Sequence, residues 1–210
     1  MSLLRLIFCF ALLISSGQLV SAEEELQSIR GETMGTTYNI KWIGASDSAS
    51  DLQQKVDSRL VEINRLMSTY DPDSELSKFN QYDQTDWFPV SEETATVVAK
   101  ALEISELSGG AFDPTVGRLV RLWNFGPDAA APQAPSQEEI ATALKSVGHQ
   151  FIQVQTKPPA ISKSMGTVEL DLSAIAKGYG VDQIVQLLKS ESIENCMVEI
   201  GGEVLSLIHI

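Results

Sequence analysis

The segment DLSAIAKGYGVD, residues 171–182, constrains the fold of this chain more than any other. Asp171 ends an apparent strand, Ser173 can start a helix, and Gly178 and Gly180 fall inside that helix. A glycine within a helix costs about 1 kcal/mol relative to alanine, so two of them indicate close packing or a ligand near the backbone. A helix start also offers unpaired N–H groups and the positive end of the helix dipole. The segment therefore predicts an anion site, most simply for phosphate, although an ordinary capped turn fits the same pattern.

Motif spacing and charge exclude several classes of phosphate-binding protein. The segment has no G-x-x-x-x-G-K-[ST] motif, and Gly178 and Gly180 lack the third glycine of a dinucleotide fingerprint. The net charge of −13 argues against nucleic acid or anionic lipid as a partner. An anionic ligand must therefore be bound locally, by N–H groups, a lysine or a metal ion.

The N-terminus predicts export. Arg5 precedes an apolar run at 6–14 that is short for a membrane span, and residues 20–22 are small at the spacing of a cleavage site. We expect residues 1–22 to be a cleaved signal peptide and the protein to be periplasmic, with a retained membrane anchor as the alternative. Cys9 lies before the cleavage site, so no lipobox is present. After cleavage Cys196 is the only cysteine, which excludes an intrachain disulfide.

Hydrophobic periodicity predicts an α+β fold, with mixed sheets and hairpins and helices packed against them. The predicted strands are 36–44, 151–155, 160–164, 167–172 and 195–202. The predicted helices start near Ser50, Ser91, Ser136 and Ser173. The first should bury one face, formed by Leu52, Val56, Leu60, Ile63 and Met67. Gly148 is expected to close the third helix, 68–81 to form a turn-rich loop, and 126–138 to act as a linker.

The chain is expected to form one domain over residues 23–204. The final residues, 205–210, read LSLIHI, are uncharged and mostly apolar, and follow without a turn residue. An exposed apolar strand is an aggregation hazard that complete domains usually cover. We therefore expect residues 205–210 to be an aberrant tail and the domain to be incomplete at its C-terminus.

Five segments in fixed order carry a family resemblance. They are GETMGTTY, LMSTYDPDSELSKFN, GGAFDPTVGRLVRLWNFG, VELDLSAIAKGYGVD and VEIGGEV. Each alone also fits an ordinary turn, cap or core methionine. Together they resemble the ApbE family, the FAD:protein FMN transferases, over about residues 28–204. AFDPTVG and DLSAIAKGYGVD are the most specific parts.

The resemblance implies an exported or membrane-tethered enzyme that binds FAD and Mg²⁺. Such an enzyme cleaves the FAD pyrophosphate, attaches FMN through a phosphoester to a threonine of an acceptor flavoprotein, which can be membrane-associated, and releases AMP. The resemblance further implies that the backbone carbonyl of Ala174 is a metal ligand. The flavin nucleotide contacts that it implies are Met34, Tyr70, Ala111, Phe112, Asp113, Asp171 and Lys177.

The catalytic residue is not assigned by this resemblance. The family's C-terminal Asp/Thr metal motif and its histidine base have no counterpart here, and His149 follows Gly148 at an expected surface position. Three functions therefore stay open: an FMN transferase, an FAD pyrophosphatase that uses water as acceptor, and an exported flavin-binding module without catalysis.

Overall fold

Two antiparallel sheets and their packed helices make up the part of the chain that the computed structural model describes, residues 25–44, 48–125 and 134–207. The helices are α1 (Ala49–Met67), α2 (Glu75–Gln81), α3 (Glu92–Leu107), α4 (Gly117–Leu122), α5 (Gln137–Leu144) and α6 (Ser173–Ser190), with a 3₁₀ turn at His149–Phe151. The strands are β1 (Leu26–Thr33), β2 (Thr36–Ile43), β3 (Phe88–Pro89), β4 (Ile152–Thr156), β5 (Pro159–Lys163), β6 (Cys196–Ile200) and β7 (Glu203–Leu207). The predicted α+β class is confirmed.

The larger sheet has the order β1-β2-β6-β7 and packs on α1 and α6. Tyr38, Ile40 and Trp42 alternate along β2 and are buried on the face toward these helices. The predicted apolar face of α1 is confirmed, since all five of its residues are buried. This packing fixes where α6 starts relative to the β1–β2 hairpin.

The smaller sheet, β3-β5-β4, lies over a second core cluster that includes Leu76, Phe79 and Ile161. Val168, Leu170 and Leu172 belong to the same cluster, yet the strand predicted at 167–172 is wrong. Among the described residues, this stretch makes one isolated parallel bridge, between Glu169 and Val116. Val168, Leu170 and Leu172 alternate toward the core as they would in a strand, but the stretch does not form a ladder with a neighbouring strand.

Three further boundaries differ from the sequence predictions. The stretch at 68–81 contains helix α2, because Ser74 caps it by accepting a hydrogen bond from the backbone N–H of Ser77. Helix α5 ends at Leu144, and Gly148 starts the following 3₁₀ turn with a φ of +154°. The first strand, β1, was not predicted.

Several predictions lie outside the described residues. These include the signal peptide at 1–22, residues 126–133 of the predicted linker and the last three residues of the tail. The preceding residues of the tail, 205–207, continue β7, where Leu205 pairs with Val198 of β6. Within the described ranges, no helix is both long enough and apolar enough to cross a membrane.

Candidate nucleotide site

The β1–β2 hairpin places Met34 at the start of α6. Met34 has a φ of +49°, a left-handed conformation that is uncommon for a residue other than glycine. Its side chain packs against both core clusters, and its Cε atom would lie 3.3 Å from a Cβ built on Gly180. Glycine at position 180 therefore leaves the room that the Met34 side chain occupies.

The two glycines of α6 are expected to respond oppositely to substitution. A Cβ on Gly178 would meet nothing within 4 Å, so Gly178→Ala should raise the free energy of unfolding by about 0.5–1 kcal/mol through helix propensity. Gly180→Val should lower it by about 1–3 kcal/mol, because the added methyl groups overpack Met34 and Ile200. Urea unfolding of both variants measures this. Equal effects would show that Gly180 does not hold Met34 in place.

A serine-rich turn orients Tyr70. The Oγ of Ser68 accepts hydrogen bonds from the backbone N–H groups of Tyr70 (3.0 Å) and Asp71 (3.1 Å). Ser74 in turn donates to the carbonyl of Ser68 at 2.5 Å. The Tyr70 hydroxyl donates to the carbonyl of Phe125 at 2.9 Å, while 61% of Tyr70 stays exposed. Tyr70 therefore presents an aromatic face from a fixed backbone.

Asp113 joins the AFDPT turn to the end of a distant loop. Its Oδ1 accepts from the backbone N–H of Thr115 at 2.8 Å and from the Thr115 hydroxyl at 2.5 Å. Its Oδ2 accepts from the backbone N–H of His149 at 2.8 Å. The buried Thr115 hydroxyl also accepts from the backbone N–H of Gly148 at 2.7 Å. Both carboxylate oxygens thus fix the chain, so Asp113 positions Phe112 and Ala111.

The start of α6 is organised by Asp171. Its Oδ1 accepts from the backbone N–H of Ser173 at 2.7 Å, and its own N–H donates to the carbonyl of Pro114 at 2.7 Å. The N-cap position is Leu172, which makes no side-chain cap, so the alternative in which Ser173 caps this helix is wrong. Lys177 lies one turn into the helix, and its Nζ donates to the carbonyl of Ser173 at 3.2 Å.

Asn80 and Lys163 hold the extended segment that leads into α6. The Asn80 amide donates to the carbonyl of Leu170 and accepts from its N–H, both at 2.8 Å. Lys163 is 1% exposed, and its Nζ donates to the carbonyls of Phe79, Asn80 and Val168 at 3.1–3.2 Å. Burial lowers the pKa of Lys163. Together with backbone hydrogen bonds to Pro114 and Gly117, these two side chains hold 167–172 where a full strand ladder is missing.

Lys163→Met is expected to lower the free energy of unfolding by about 2 kcal/mol. The substitution keeps an apolar stem but leaves buried carbonyls without a donor, and each unsatisfied carbonyl costs about 1–3 kcal/mol. Part of this loss is offset because the cost of burying the Lys163 charge is removed. Lys100→Met, at an exposed position paired with Glu103, is the matched control and should change stability by less than about 0.5 kcal/mol. Urea denaturation compares them, and equal midpoints would contradict the role of Lys163.

A network of charged groups ties α6 to α1 and α3. The Nη1 and Nη2 atoms of Arg59 donate to the two carboxylate oxygens of Glu93 at 3.1 and 2.6 Å. Nη2 also donates to Gln183, and the Tyr179 hydroxyl donates to Glu93 at 2.7 Å. Burial and the bond to Glu93 raise the pKa of Tyr179. Burial alone would raise the pKa of Glu93, but the hydrogen bonds from Arg59 and Tyr179 lower it by more.

Three adjoining cavities surround Tyr70. We name them the methionine cavity (about 540 Å³, with Met34 and Met67), the aromatic cavity (about 460 Å³, with Phe112 and Phe125) and the polar cavity (about 430 Å³). Thr69 and Tyr70 line all three. Ser173 is shared by the methionine and aromatic cavities, so the start of α6 lies between them.

The structure brings all eight residues implied by the resemblance to the walls of the first two cavities. The methionine cavity is lined by Met34, Tyr70 and Lys177. The aromatic cavity is lined by Tyr70, Ala111, Phe112, Asp113, Asp171 and Ala174. Residues from four separate parts of the sequence therefore form one continuous site.

The described residues do not by themselves complete a magnesium site. Ala174 is exposed at the second position of α6 and lines the same cavity as Asp171. Among the described residues, no three His, Cys, Asp or Glu side chains form a group that could hold a metal ion. Since Mg²⁺ prefers six oxygen ligands, a carbonyl of Ala174 would supply only part of such a shell.

Sequence reasoning missed several residues of this site. Phe125 and Thr69 line the aromatic cavity, and Asn64 lines the methionine cavity. Asn64 follows the buried Ile63 on α1. From the sequence, this position predicts a partly exposed helix residue and gives no sign of a ligand. Ser68 could have been found, because a serine followed by a tight Asp-Pro turn commonly accepts backbone N–H bonds.

Comparison with known proteins identifies the family. The sequence model described as the ApbE family matches residues 34–207. The chain belongs to the ApbE family. The FAD:protein FMN transferase of Vibrio cholerae is 48% identical over 181 residues, and that of Haemophilus influenzae is 39% identical over 188 residues. These alignments cover 84% and 87% of this chain but 53% and 54% of the two relatives, so the chain spans about half the length of these curated relatives.

Solved structures of the ApbE family share the fold. The flavin transferase ApbE from Vibrio cholerae superposes with a TM-score of 0.84 at 44% identity, covering 88% of this chain and 60% of that one. The apo form of Pseudomonas stutzeri flavinyl transferase ApbE gives a TM-score of 0.81 at 31% identity, with 88% and 61% coverage. The predicted ApbE-like fold is therefore confirmed.

Proposed function

We propose that the full gene product transfers FMN from FAD to a threonine side chain of an exported or membrane acceptor protein and releases AMP, in a Mg²⁺-dependent reaction. The observation that carries the proposal is the pair of cavities that meet at Tyr70 and Ser173. FAD has two flat ring systems joined by a pyrophosphate, and two cavities joined at a helix start match that layout. Membership in the ApbE family supports the reaction class.

The residues of the junction suit the pyrophosphate. The positive end of the α6 dipole lies at this point. The N–H of Ser173 is bonded to Asp171, and those of Ile175 and Ala176 to the carbonyl of Leu172, so the dipole rather than these groups would attract the pyrophosphate. Lys177 contributes a cation in a chain whose net charge is −13. Met34 and Phe112 offer apolar surface to the rings on either side.

The transfer is a displacement at phosphorus. The threonine oxygen bonds to the phosphorus on the FMN side, the bond from that phosphorus to the bridging oxygen breaks, and AMP leaves with that oxygen and its electron pair. One proton is released from the hydroxyl. Phosphoryl transfer depends mainly on positioning and charge neutralisation. Tyr70 and the turn held by Asp113 would position the nucleotide, and Lys177 would offset part of its charge. A bound Mg²⁺ would neutralise charge on the phosphates.

Incubation of the full gene product with FAD, Mg²⁺ and an acceptor domain purified without flavin tests the proposal. Covalent flavin on the acceptor together with free AMP is the expected result, and an acceptor whose target threonine is changed to alanine is the control. Free FMN without modified acceptor would favour an FAD pyrophosphatase. Unchanged FAD with measurable binding would favour a flavin-binding module. Either result contradicts the transferase.

Export to the periplasm is part of this proposal and rests on the N-terminal sequence. We expect protein recovered from the periplasm to begin near Glu23, after the small residues at 20–22. N-terminal sequencing of that material is the measurement. Recovery of protein that still begins at Met1 would contradict cleavage.

A further inference from the structure

Of the three cavities around Tyr70, the polar cavity is lined by the fewest of the proposed FAD contacts, Tyr70 and Asp171. It shares Thr69, Tyr70 and Asp171 with the aromatic cavity, so the two are continuous. Its remaining wall is formed mainly by α2, α4 and the extended segment before α6, with Gln81 and Arg121 at exposed positions. A transfer reaction needs a place for a second substrate next to the first.

The charges of this cavity do not suit a phosphate. Arg121 is the cation among the described residues that line it, and it is already ion-paired with Glu169. The Asn80 amide is bound to the backbone of Leu170. Among the described residues, the polar cavity therefore has no unpaired cation to offset the carboxylate of Asp171, whereas the methionine cavity has Lys177. Neutral hydrogen-bonding groups next to a compensated ion pair instead suit a polypeptide, which offers its own N–H and C=O groups.

The position of the cavity fits the geometry of the transfer. In a displacement at phosphorus, the attacking and leaving oxygens lie roughly in line on opposite sides. The acceptor hydroxyl must therefore reach the junction from a direction that neither half of FAD occupies. The polar cavity opens onto that junction at Tyr70 and Asp171.

We infer that the polar cavity receives the segment of the acceptor protein that carries the target threonine. This inference rests on the proposed function. It assigns Arg121 and Gln81 to acceptor recognition, and it separates them from the residues that contact FAD.

Steady-state kinetics with the full gene product and the flavin-free acceptor domain test the inference. Arg121→Ala removes one side of the ion pair, and Gln81→Arg places a bulky cation in the cavity. Each should raise the KM for the acceptor about tenfold or more, with the Kd for FAD unchanged. Arg118→Ala is the matched control, because Arg118 lies on the same helix and shares with Arg121 a surface hollow next to α5, but does not line the polar cavity. Gln81 and Arg121 both lie at exposed positions, where substitutions usually change stability little, so these variants should fold.

The outcomes separate this inference from the proposed function. A rise in acceptor KM in both variants, absent in Arg118→Ala and without a change in FAD affinity, supports the inference. Active wild-type protein whose acceptor KM is unchanged in both variants overturns the inference alone. An equal rise in the acceptor KM of Arg118→Ala also overturns the inference, since the effect would then reflect a general loss of positive charge. A wild-type protein that transfers no flavin contradicts the proposed function itself.

Discussion

Asp113→Ala is expected to raise the Kd for FAD about tenfold or more, a loss of about 1.4 kcal/mol or more in binding free energy. The Asp113 carboxylate accepts three hydrogen bonds, two from Thr115 within the AFDPT turn and one from the backbone of His149. Removing it leaves the buried Thr115 hydroxyl without this acceptor and frees the turn that presents Phe112 to the aromatic cavity. Titration of flavin fluorescence measures the Kd.

Two controls sharpen this result. Asp73→Ala removes an exposed carboxylate from the loop after Tyr70 and should leave the Kd for FAD unchanged. Asp113→Asn keeps one oxygen that can accept from Thr115, but its NH₂ group then faces the N–H of His149 in place of an acceptor. The rise in the Kd for FAD should therefore be intermediate. If Asp113→Ala and Asp73→Ala bind FAD equally well, the turn does not position the nucleotide.

Glu93→Ala is expected to lower the free energy of unfolding by about 3 kcal/mol at pH 7. The Arg59 guanidinium then loses its bidentate partner, and Tyr179 loses its acceptor, at a site where all three side chains are partly buried. Breaking one member of a buried ion pair costs about 3–5 kcal/mol, and partial exposure of this pair reduces that figure. Glu62→Ala, which removes the more exposed partner of Arg59, should cost less than about 1 kcal/mol. Urea unfolding distinguishes the two.

The same network predicts a pH dependence with a defined sign. The pKa of Glu93 is lower in the folded protein than the ordinary value of 4.5, because the hydrogen bonds from Arg59 and Tyr179 outweigh the effect of burial. Between the two pKa values the unfolded state binds more protons, so stability falls as the pH falls through this range. The stability difference between the wild type and Glu93→Gln should therefore shrink below pH 4.5. A difference that grows on acidification would contradict the network.

Local signals in the sequence predicted much of the secondary structure. Ser91 and Ser136 cap their helices as expected, and the Ser136–Glu139 capping box is present. The apolar face of α1 was read correctly because its spacing follows the helical period. The strand predicted at 167–172 failed because alternating burial does not reveal the hydrogen-bond partner. Leu170 is bonded by the Asn80 side chain, 90 residues away in the sequence, and the residues on either side of it by the backbone of Pro114 and Gly117.

In the candidate site too, the sequence did not reveal which distant groups are hydrogen-bonded to each other. Its residues could be named from motif resemblance, but the role of Asp113 depends on His149, 36 residues further along. Lys163 carried no sequence signal, since its apolar neighbours in β5 predict only a strand residue. Long-range hydrogen bonds of this kind depend on how the two sheets and α6 pack together, which no local pattern encodes.

A crystal structure of this protein with FAD bound tests the central claim most directly. We expect the nucleotide to cross Tyr70, with one ring system in the methionine cavity, the other in the aromatic cavity, and the pyrophosphate at the first turn of α6. The polar cavity should stay free of nucleotide. FAD bound elsewhere, or a pyrophosphate directed away from Ser173 and Lys177, would contradict the account.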